Sequence, residues 1–506
     1  MIVRTASIGL VLSLFAAGAL LQASLPLNHD VSWLLVATQR LLGGADVYGS
    51  DVVELNPPMI LYLLAPVVAI ADGLGVSIIV TLRVYVALLI AGSLGLSARL
   101  LGAWLGTREQ AAIGAFVVVF SFALWIPSHT HFAQREHFLV MGLVPYAIAA
   151  AARASRTSLA LPLGVAAGFA GAIAVCVKPH YALVLAAIEL LVLARLRQAR
   201  LWLGAELIVA VIAGVSYVIA VIAFFPGYFE FVVPLAGDTY GAFQRPTASI
   251  VSWTHLALLA LAGIAALLAQ GPRRELAAVL CAAAFASYGA RLLQSTGWPY
   301  LLLPFQTFTL LTIACAIGPL VPTRGWLDTR GALAVISLGI AVFGLLPGGE
   351  RLTWSLGADW RAGRTPGLIG KLSQFIDSHA PGGRVYFFSS GLLWAFPTIH
   401  YSGATWSSRF PSLWPLPAIR TPNVDGHGLS SARRAELHRY LIDAVIEDLE
   451  RGDPDLLFID VAKRKPYLGR NFDYVEFFGR DARFRSLLSR YERTVKVDHY
   501  QVYERR

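Results

Sequence analysis

Three acidic side chains, Asp30, Asp51 and Glu54, stand in one short stretch directly after the first apolar segment, with His29 beside the first of them. Carboxylates at a bilayer edge are costly to desolvate and are kept there for function. One of them can act as a general base if it reaches the proton it removes. Such acids can also hold a polar ligand or a hard divalent cation such as Mg²⁺ or Mn²⁺. Further polar residues recur at the ends of later apolar segments: His129, His131, Gln134, Arg135, Glu136 and His137; Lys178-Pro179-His180; Asp238, Tyr240, Gln244 and Arg245; Arg291, Gln294, Trp298 and Tyr300. Lys and Arg at such positions suit a phosphate group, although a Lys at a helix end can also simply snorkel. The His-Thr-His spacing matches no closed zinc site. Hydrogen bonding or ligand contact is the preferred reading of those histidines.

These residues must be positioned by helices in a membrane. Hydrophobic residues make up 56% of the 506-residue chain and charged residues 14%, against about a quarter charged in a soluble domain. Segments of spanning length fall at 7–25, 77–97, 110–127, 137–152, 160–177, 180–196, 203–225, 249–269, 275–293, 299–321 and 331–346. The first reads as a retained span rather than a cleaved signal peptide, and would anchor Asp30 at a fixed depth. Arg-rich connections (Arg99 and Arg108; Arg153 and Arg156; Arg195, Arg197 and Arg200; Arg273 and Arg274; Arg324 and Arg330) alternate with connections poor in Lys and Arg. The positive-inside rule puts the Arg-rich set and the N-terminus in the cytoplasm, and about eleven spans then send the C-terminus outside. The segment from Pro57 to Ile70 is broken by Pro57, Pro58 and Pro66 and reads as a helix lying at the outer interface.

The expected fold class is a multispanning α-helical membrane protein with a carboxy-terminal α/β domain. Residues 1–348 form the transmembrane part, with a first outer loop at 26–76, and residues 349–506 form the soluble domain. In the latter, Arg384 to Ser389 and Asp455 to Asp460 read as buried strands, Ala432 to Arg451 as a helix, and Tyr491 to Tyr503 as a terminal hairpin. Cys176, Cys281 and Cys315 lie in apolar segments and imply no disulfide framework. The net charge of +10 points to orientation and anionic lipid rather than nucleic acid.

The order of features in the first outer loop carries a resemblance. A span is followed by Asp30, then by an amphipathic stretch ending in Arg40-Leu-Leu-Gly-Gly-Ala-Asp-Val-Tyr48, then by Asp51, Glu54 and Asn56-Pro-Pro-Met-Ile-Leu-Tyr62. This resembles the polyprenyl-phosphate-dependent glycosyltransferases of the GT-C class, in the branch of the protein O-mannosyltransferases and lipid A aminoarabinose transferases. The likeness is confined to this loop and the general architecture. The family's Asp-Glu at the loop start is Asp30-Val31 here, and its Lys- or His-Pro-Pro is Asn56-Pro57-Pro58. The soluble domain shows no specific match.

The resemblance implies an enzyme of the bacterial inner membrane that takes a sugar from a polyprenyl phosphate and gives it to an acceptor outside the cytoplasm. Asp30 would be the catalytic base. Lys178, Arg245, Arg291 and Arg135 would bind the donor phosphate. Asp51, Glu54, His131 and Glu136 would meet the acceptor or a divalent cation, with His29, His180, Tyr240 and Gln244 as further contacts. The relatives do not consistently need a metal, so neither a divalent cation (Mg²⁺ or Mn²⁺) nor its absence is assigned. A transporter or flippase of lipid-linked saccharides and a non-catalytic scaffold of envelope assembly are the alternatives. The lack of an internal repeat and the gathering of polar residues at one face favour the enzyme.

Overall fold

The computed structural model describes residues 2–106, 109–198, 202–320, 367–421 and 429–506. Seven helices among them are long and apolar enough to cross a membrane: Ala6–Ser24, Ile78–Leu105, Arg135–Ala154, Pro179–Leu196, Ala205–Phe224, Arg273–Gln294 and Pro299–Ala316. Shorter apolar helices span Met59–Leu74, Gln110–Trp125, Leu161–Val177 and Trp253–Leu268. The protein is a multi-pass membrane protein. Helices occupy each expected span up to residue 320, and the expected span at 331–346 lies outside the described residues.

The described residues form two compact units. The first draws on Met1–Leu25, Val80–Ile219 and Arg245–Trp360, and the second on Pro26–Ile79, Ala220–Gln244 and Arg361–Arg506. The first unit is a helical bundle around the Arg135–Ala154 helix, whose residues are almost all buried. Small residues let its neighbours approach closely. A Cβ on Gly142 would meet the Ala170 carbonyl, and one on Gly168 would meet the Glu206 carbonyl, so backbones touch where a side chain would hold them apart. At the far end of the same helix Arg153 is clamped between Glu189 (2.6 Å) and Glu206 (2.8 Å), and Tyr146 donates to Glu189 at 2.5 Å. The four groups tie the Arg135–Ala154 helix to Ala182–Leu196 and Ala205–Phe224.

In the second unit the loop after the first helix and the carboxy-terminal α/β region share one core. The α/β region is built on a five-stranded mixed sheet. In chain order its strands are β1 (Arg384–Phe388), β2 (Thr405–Trp406), β3 (Leu456–Asp460), β4 (Tyr491–Val497) and β5 (Tyr500–Arg505), and their spatial order is β2-β1-β3-β5-β4. The first three are parallel and the last two form an antiparallel hairpin. β1 and β3 are apolar along nearly their whole length because helices cover them. The amphipathic helix Ser431–Gly452 begins at Ser430, whose side chain accepts from the Arg433 amide. In the loop after the first helix, helix His29–Leu42 packs on helix Met59–Leu74. The latter buries Ile60, Leu61, Leu64, Val67, Val68 and Ala71, one stripe at helical period, while Tyr62, Ile70 and Leu74 stay exposed.

Candidate functional site

Within the second unit the three acids have separate fates. Glu54 is 3% exposed. Its Oε2 accepts from the Trp33 indole, and its Oε1 accepts from the Asn56 side-chain amide and from the Asn56 backbone amide at 2.8 Å. It staples the end of the loop to helix His29–Leu42. Asp51 accepts from the Asp46 amide (2.9 Å), from Ser50 (3.2 Å) and from the Arg451 guanidinium (2.9 Å). The Asp46 amide first, with the Ser50 hydroxyl and Arg451, holds its carboxyl below the ordinary value. Two acids so engaged do not fit a divalent cation as they stand. Among the described residues no group of three or more His, Cys, Asp or Glu side chains gathers where it could hold a metal.

Asp30 stands in the first turn of helix His29–Leu42, its side chain 18% exposed, with His29 Nε2 at 3.6 Å. An acid at a helix start invites the reading that it is the N-cap. It is not: the cap is Asn28, whose Oδ1 accepts from the amides of Asp30 (2.9 Å) and Val31 (3.4 Å). The Asp30 carboxylate is therefore not consumed in capping, and it benefits from the positive end of the helix dipole. Also in this unit, Tyr48 packs edge-on against Tyr228 (5.1 Å) and Phe225 (5.8 Å). Tyr228 lies within electrostatic reach of Glu54 and Tyr240, and burial pushes its phenol up to about 12. Tyr240 packs on Phe243, and Gln244 is exposed at the end of that segment.

Within the first unit a buried charged cluster forms where three helices begin or end. Lys178 caps the C-terminus of Leu161–Val177 and is 4% exposed. It is no snorkelling residue, since its ammonium turns inward to Glu136 in the first turn of Arg135–Ala154, a residue with no exposed surface. The ammonium also lies over the Tyr300 ring at 5.0 Å and near that of Tyr181 at 5.9 Å. Glu136 Oε2 makes no hydrogen bond among the described residues. His180 is in electrostatic reach of Lys178, Glu136 and Arg135, and Tyr181 of Glu136 and Arg291. His131 packs edge-on against Tyr300 at 6.1 Å.

Arg291 sits in the last turn of helix Arg273–Gln294, 4% exposed, and donates to the Ile250 carbonyl at 3.0 Å. The Arg245 amide donates to the Ser295 carbonyl at 2.7 Å, so the loop carrying the exposed Arg245 is laced to the loop after Arg291. The other two histidines of the 129–137 segment bond to backbone. His137 Nδ1 accepts from the Ala133 amide at 3.2 Å while its Nε2 pairs with the Leu124 carbonyl at 2.8 Å. His129 Nδ1 pairs with the Ile126 carbonyl.

This fold has solved counterparts. The crystal structure of ArnT from Cupriavidus metallidurans in the apo state matches with a TM-score of 0.56 over 98% of this chain and 98% of that chain, at 14% identity. The same protein bound to undecaprenyl phosphate matches with a TM-score of 0.53 over 97% of each chain, also at 14% identity. The chain has a GT-C fold. No protein-family model matches the sequence, and no curated protein does.

The GT-C fold distributes the residues singled out from sequence over both units. Arg135, Glu136, Lys178, His180, Arg291, Arg245 and His131 belong to the first, and His29, Asp30, Asp51, Glu54, Tyr240 and Gln244 to the second. Sequence reasoning passed over Tyr181 and Tyr228. A single aromatic inside an apolar run looks like packing, and only the burial of its hydroxyl beside charges sets it apart.

Proposed function

We propose that the protein is an integral membrane glycosyltransferase that moves a sugar from a polyprenyl-phosphate donor to an acceptor outside the cytoplasm. The observation that carries this reading is the charged cluster of buried Lys178 and Arg291 and half-buried Arg135 around Glu136 and Tyr181, in a fold shared with a protein that has been crystallised with undecaprenyl phosphate. Water-excluded cations are expensive to maintain and are well suited to a phosphate anion.

The reaction is one inverting displacement. An acceptor oxygen attacks the anomeric carbon, the bond from that carbon to the phosphate oxygen breaks, and the electron pair leaves with the lipid phosphate. Lys178, Arg291, Arg245 and Arg135 stabilise the charge that develops there. The acceptor's proton passes to the Asp30 carboxylate. Glu54 and Asp51 hold the loop together, and Asp30 stands in the first turn of helix His29–Leu42, at the position where the resemblance puts the base. The ordered Trp33–Glu54–Asn56 contact keeps the helix bearing Asp30 in place. The Arg-rich loops support an N-terminus in the cytoplasm and the carboxy-terminal domain outside, and the family resemblance suggests the bacterial inner membrane.

The decisive experiment incubates the purified protein in lipid nanodiscs with labelled undecaprenyl-phosphate sugars and a lysate-derived acceptor mixture. Release of free undecaprenyl phosphate together with label on an acceptor supports a transferase. In proteoliposomes, label that crosses the bilayer with its phosphate bond intact identifies a flippase instead. A carboxy-terminal reporter active only in the cytoplasm should stay silent, and a strong signal from it would overturn the orientation.

A further inference from the structure

The proposed base lies on a short turn, and the soluble domain grips that turn on both sides. Upstream of Asp30, the Leu27 amide donates to the Tyr401 hydroxyl at 3.1 Å. Downstream, His400 Nε2 meets the Ser32 carbonyl at 3.0 Å. A carbonyl only accepts, so the imidazole presents Nε2–H to it. Both residues sit on one helix, Ala395–Ser402, between β1 and β2. The same helix supplies Phe396, whose ring meets Trp33 edge-on at 5.7 Å and Trp406 at 4.8 Å. The far end of helix His29–Leu42 is held as well: Arg40 donates to the carbonyls of Trp406, Ser408 (2.7 Å) and Asp51 (3.0 Å).

These contacts reach backbone groups other than those the Asn28 cap satisfies, the Leu27 amide and the Ser32 carbonyl. The amides of Asp30 and Val31 are already satisfied by Asn28, and Ser32 already bonds back to the Asn28 carbonyl at 2.9 Å. His400 and Tyr401 add directional bonds to Ser32 and Leu27, the residues that flank the capped turn. His400 is half-buried, and its burial lowers its pKa below the ordinary 6.5.

We infer that helix Ala395–Ser402 is a clamp that positions Asp30, with His400 and Tyr401 as positioning residues, so that the soluble domain aims the base without supplying any acid of the reaction. This rests on Asp30 being the base. A base must lie within hydrogen-bond reach of the proton it takes, and a displacement of about 1 Å in such a group costs on the order of a hundredfold. Holding the turn from both sides is what that tolerance requires.

The test is a cycle of D30N, H400A and the double variant in the full-length protein, each checked for monodispersity in detergent. H400A should lower kcat about tenfold with the donor KM unchanged, within the range expected for misplacing a reacting group. H400Q, which keeps a side-chain N–H donor, should recover most of the loss. The D30N/H400A protein should be no slower than D30N, because a clamp without its base has nothing to aim. H400A with normal kcat beside a crippled D30N overturns the clamp and leaves the base standing. So does a double variant slower than D30N by the full H400A factor. D30N with normal turnover removes the base reading itself, and the clamp falls with it. If H400A does not fold, Y401F, which removes only the hydroxyl that receives the Leu27 amide, replaces it in the cycle with the same expected outcomes.

Discussion

The Lys178 ammonium is ion-paired with the Glu136 carboxylate, and both side chains are buried. One closes the Leu161–Val177 helix and the other opens the Arg135–Ala154 helix. The pair is therefore at once a joint between two spans and the core of the proposed phosphate site. Removing one partner leaves the other charge without compensation, which typically costs about 3–5 kcal/mol.

That double role can be separated. K178A should lose both thermal stability and donor affinity, the latter roughly tenfold or more for a charge-assisted contact. K178A/E136Q should regain the stability, because no lone buried charge remains, but not the affinity. Thermal melts and binding of labelled undecaprenyl phosphate read the two effects. Donor affinity restored along with stability would make Lys178 a joint and nothing more.

Asp30→Asn should preserve the helix and donor binding while turnover falls, by about a hundredfold to ten-thousandfold for a lost general base. The cap makes this a clean substitution, since Asn28 and not Asp30 receives the amides of the first turn. The companion variant N28A should instead cost about 1 kcal/mol of stability, as loss of an N-cap does, and N28D should be neutral. Single-turnover assays and melts distinguish the two residues. Normal turnover in D30N would return the search to other acids.

Asp51 predicts a pH effect. Its folded carboxyl pKa lies below the ordinary 3.8, first because of the Asp46 amide and then because of the Ser50 and Arg451 side chains. A depressed carboxyl favours the folded state above the unfolded value, and that contribution is lost as pH falls through the folded one. Melting temperature should therefore decline on acidification below about 3.8. In D51N this portion of the decline should be missing. Its carboxyl and that of Arg451's other partner Asp448 are separable, so D448N should leave the Asp51 portion in place. Parallel acid limbs in wild type and D51N would rule the contact out as a source of the effect.

Arg153 serves as the control for stability without function. It holds Glu189 and Glu206 together in the bundle, at the opposite end of the Arg135–Ala154 helix from Glu136. R153A should destabilise by about 3–5 kcal/mol, and R153A/E189Q/E206Q should recover much of that loss. Donor affinity of the folded fraction should stay at the wild-type level. A selective loss of donor binding would connect this end of the bundle to the substrate.

The membrane character, the helices up to residue 320 and the main carboxy-terminal strands were legible in the sequence, because hydrophobic period and length are local signals. The acids of the loop after the first helix and the basic residues at the ends of apolar segments stood out for the same reason: charges are rare in such a chain. What those charges do depended on partners distant in sequence. Trp33 and Glu54 meet across a loop, Lys178 finds Glu136 across a helix pair, and Asp51 is taken by Arg451 from the far end of the chain. No local pattern tells which acid locks a loop, since each is a carboxylate in the same stretch. Asn28 gave no signal that it, rather than Asp30, would cap the helix, because either residue caps well. His400 and Tyr401 lie in an unremarked segment between two strands and acquire a role only through the backbone they reach. The sequence by itself determined which residues are costly and where along the chain they lie. Tertiary structure decided which of them neutralise one another, because desolvation forces every buried charge to find a partner and that partner is chosen by the packing of the fold.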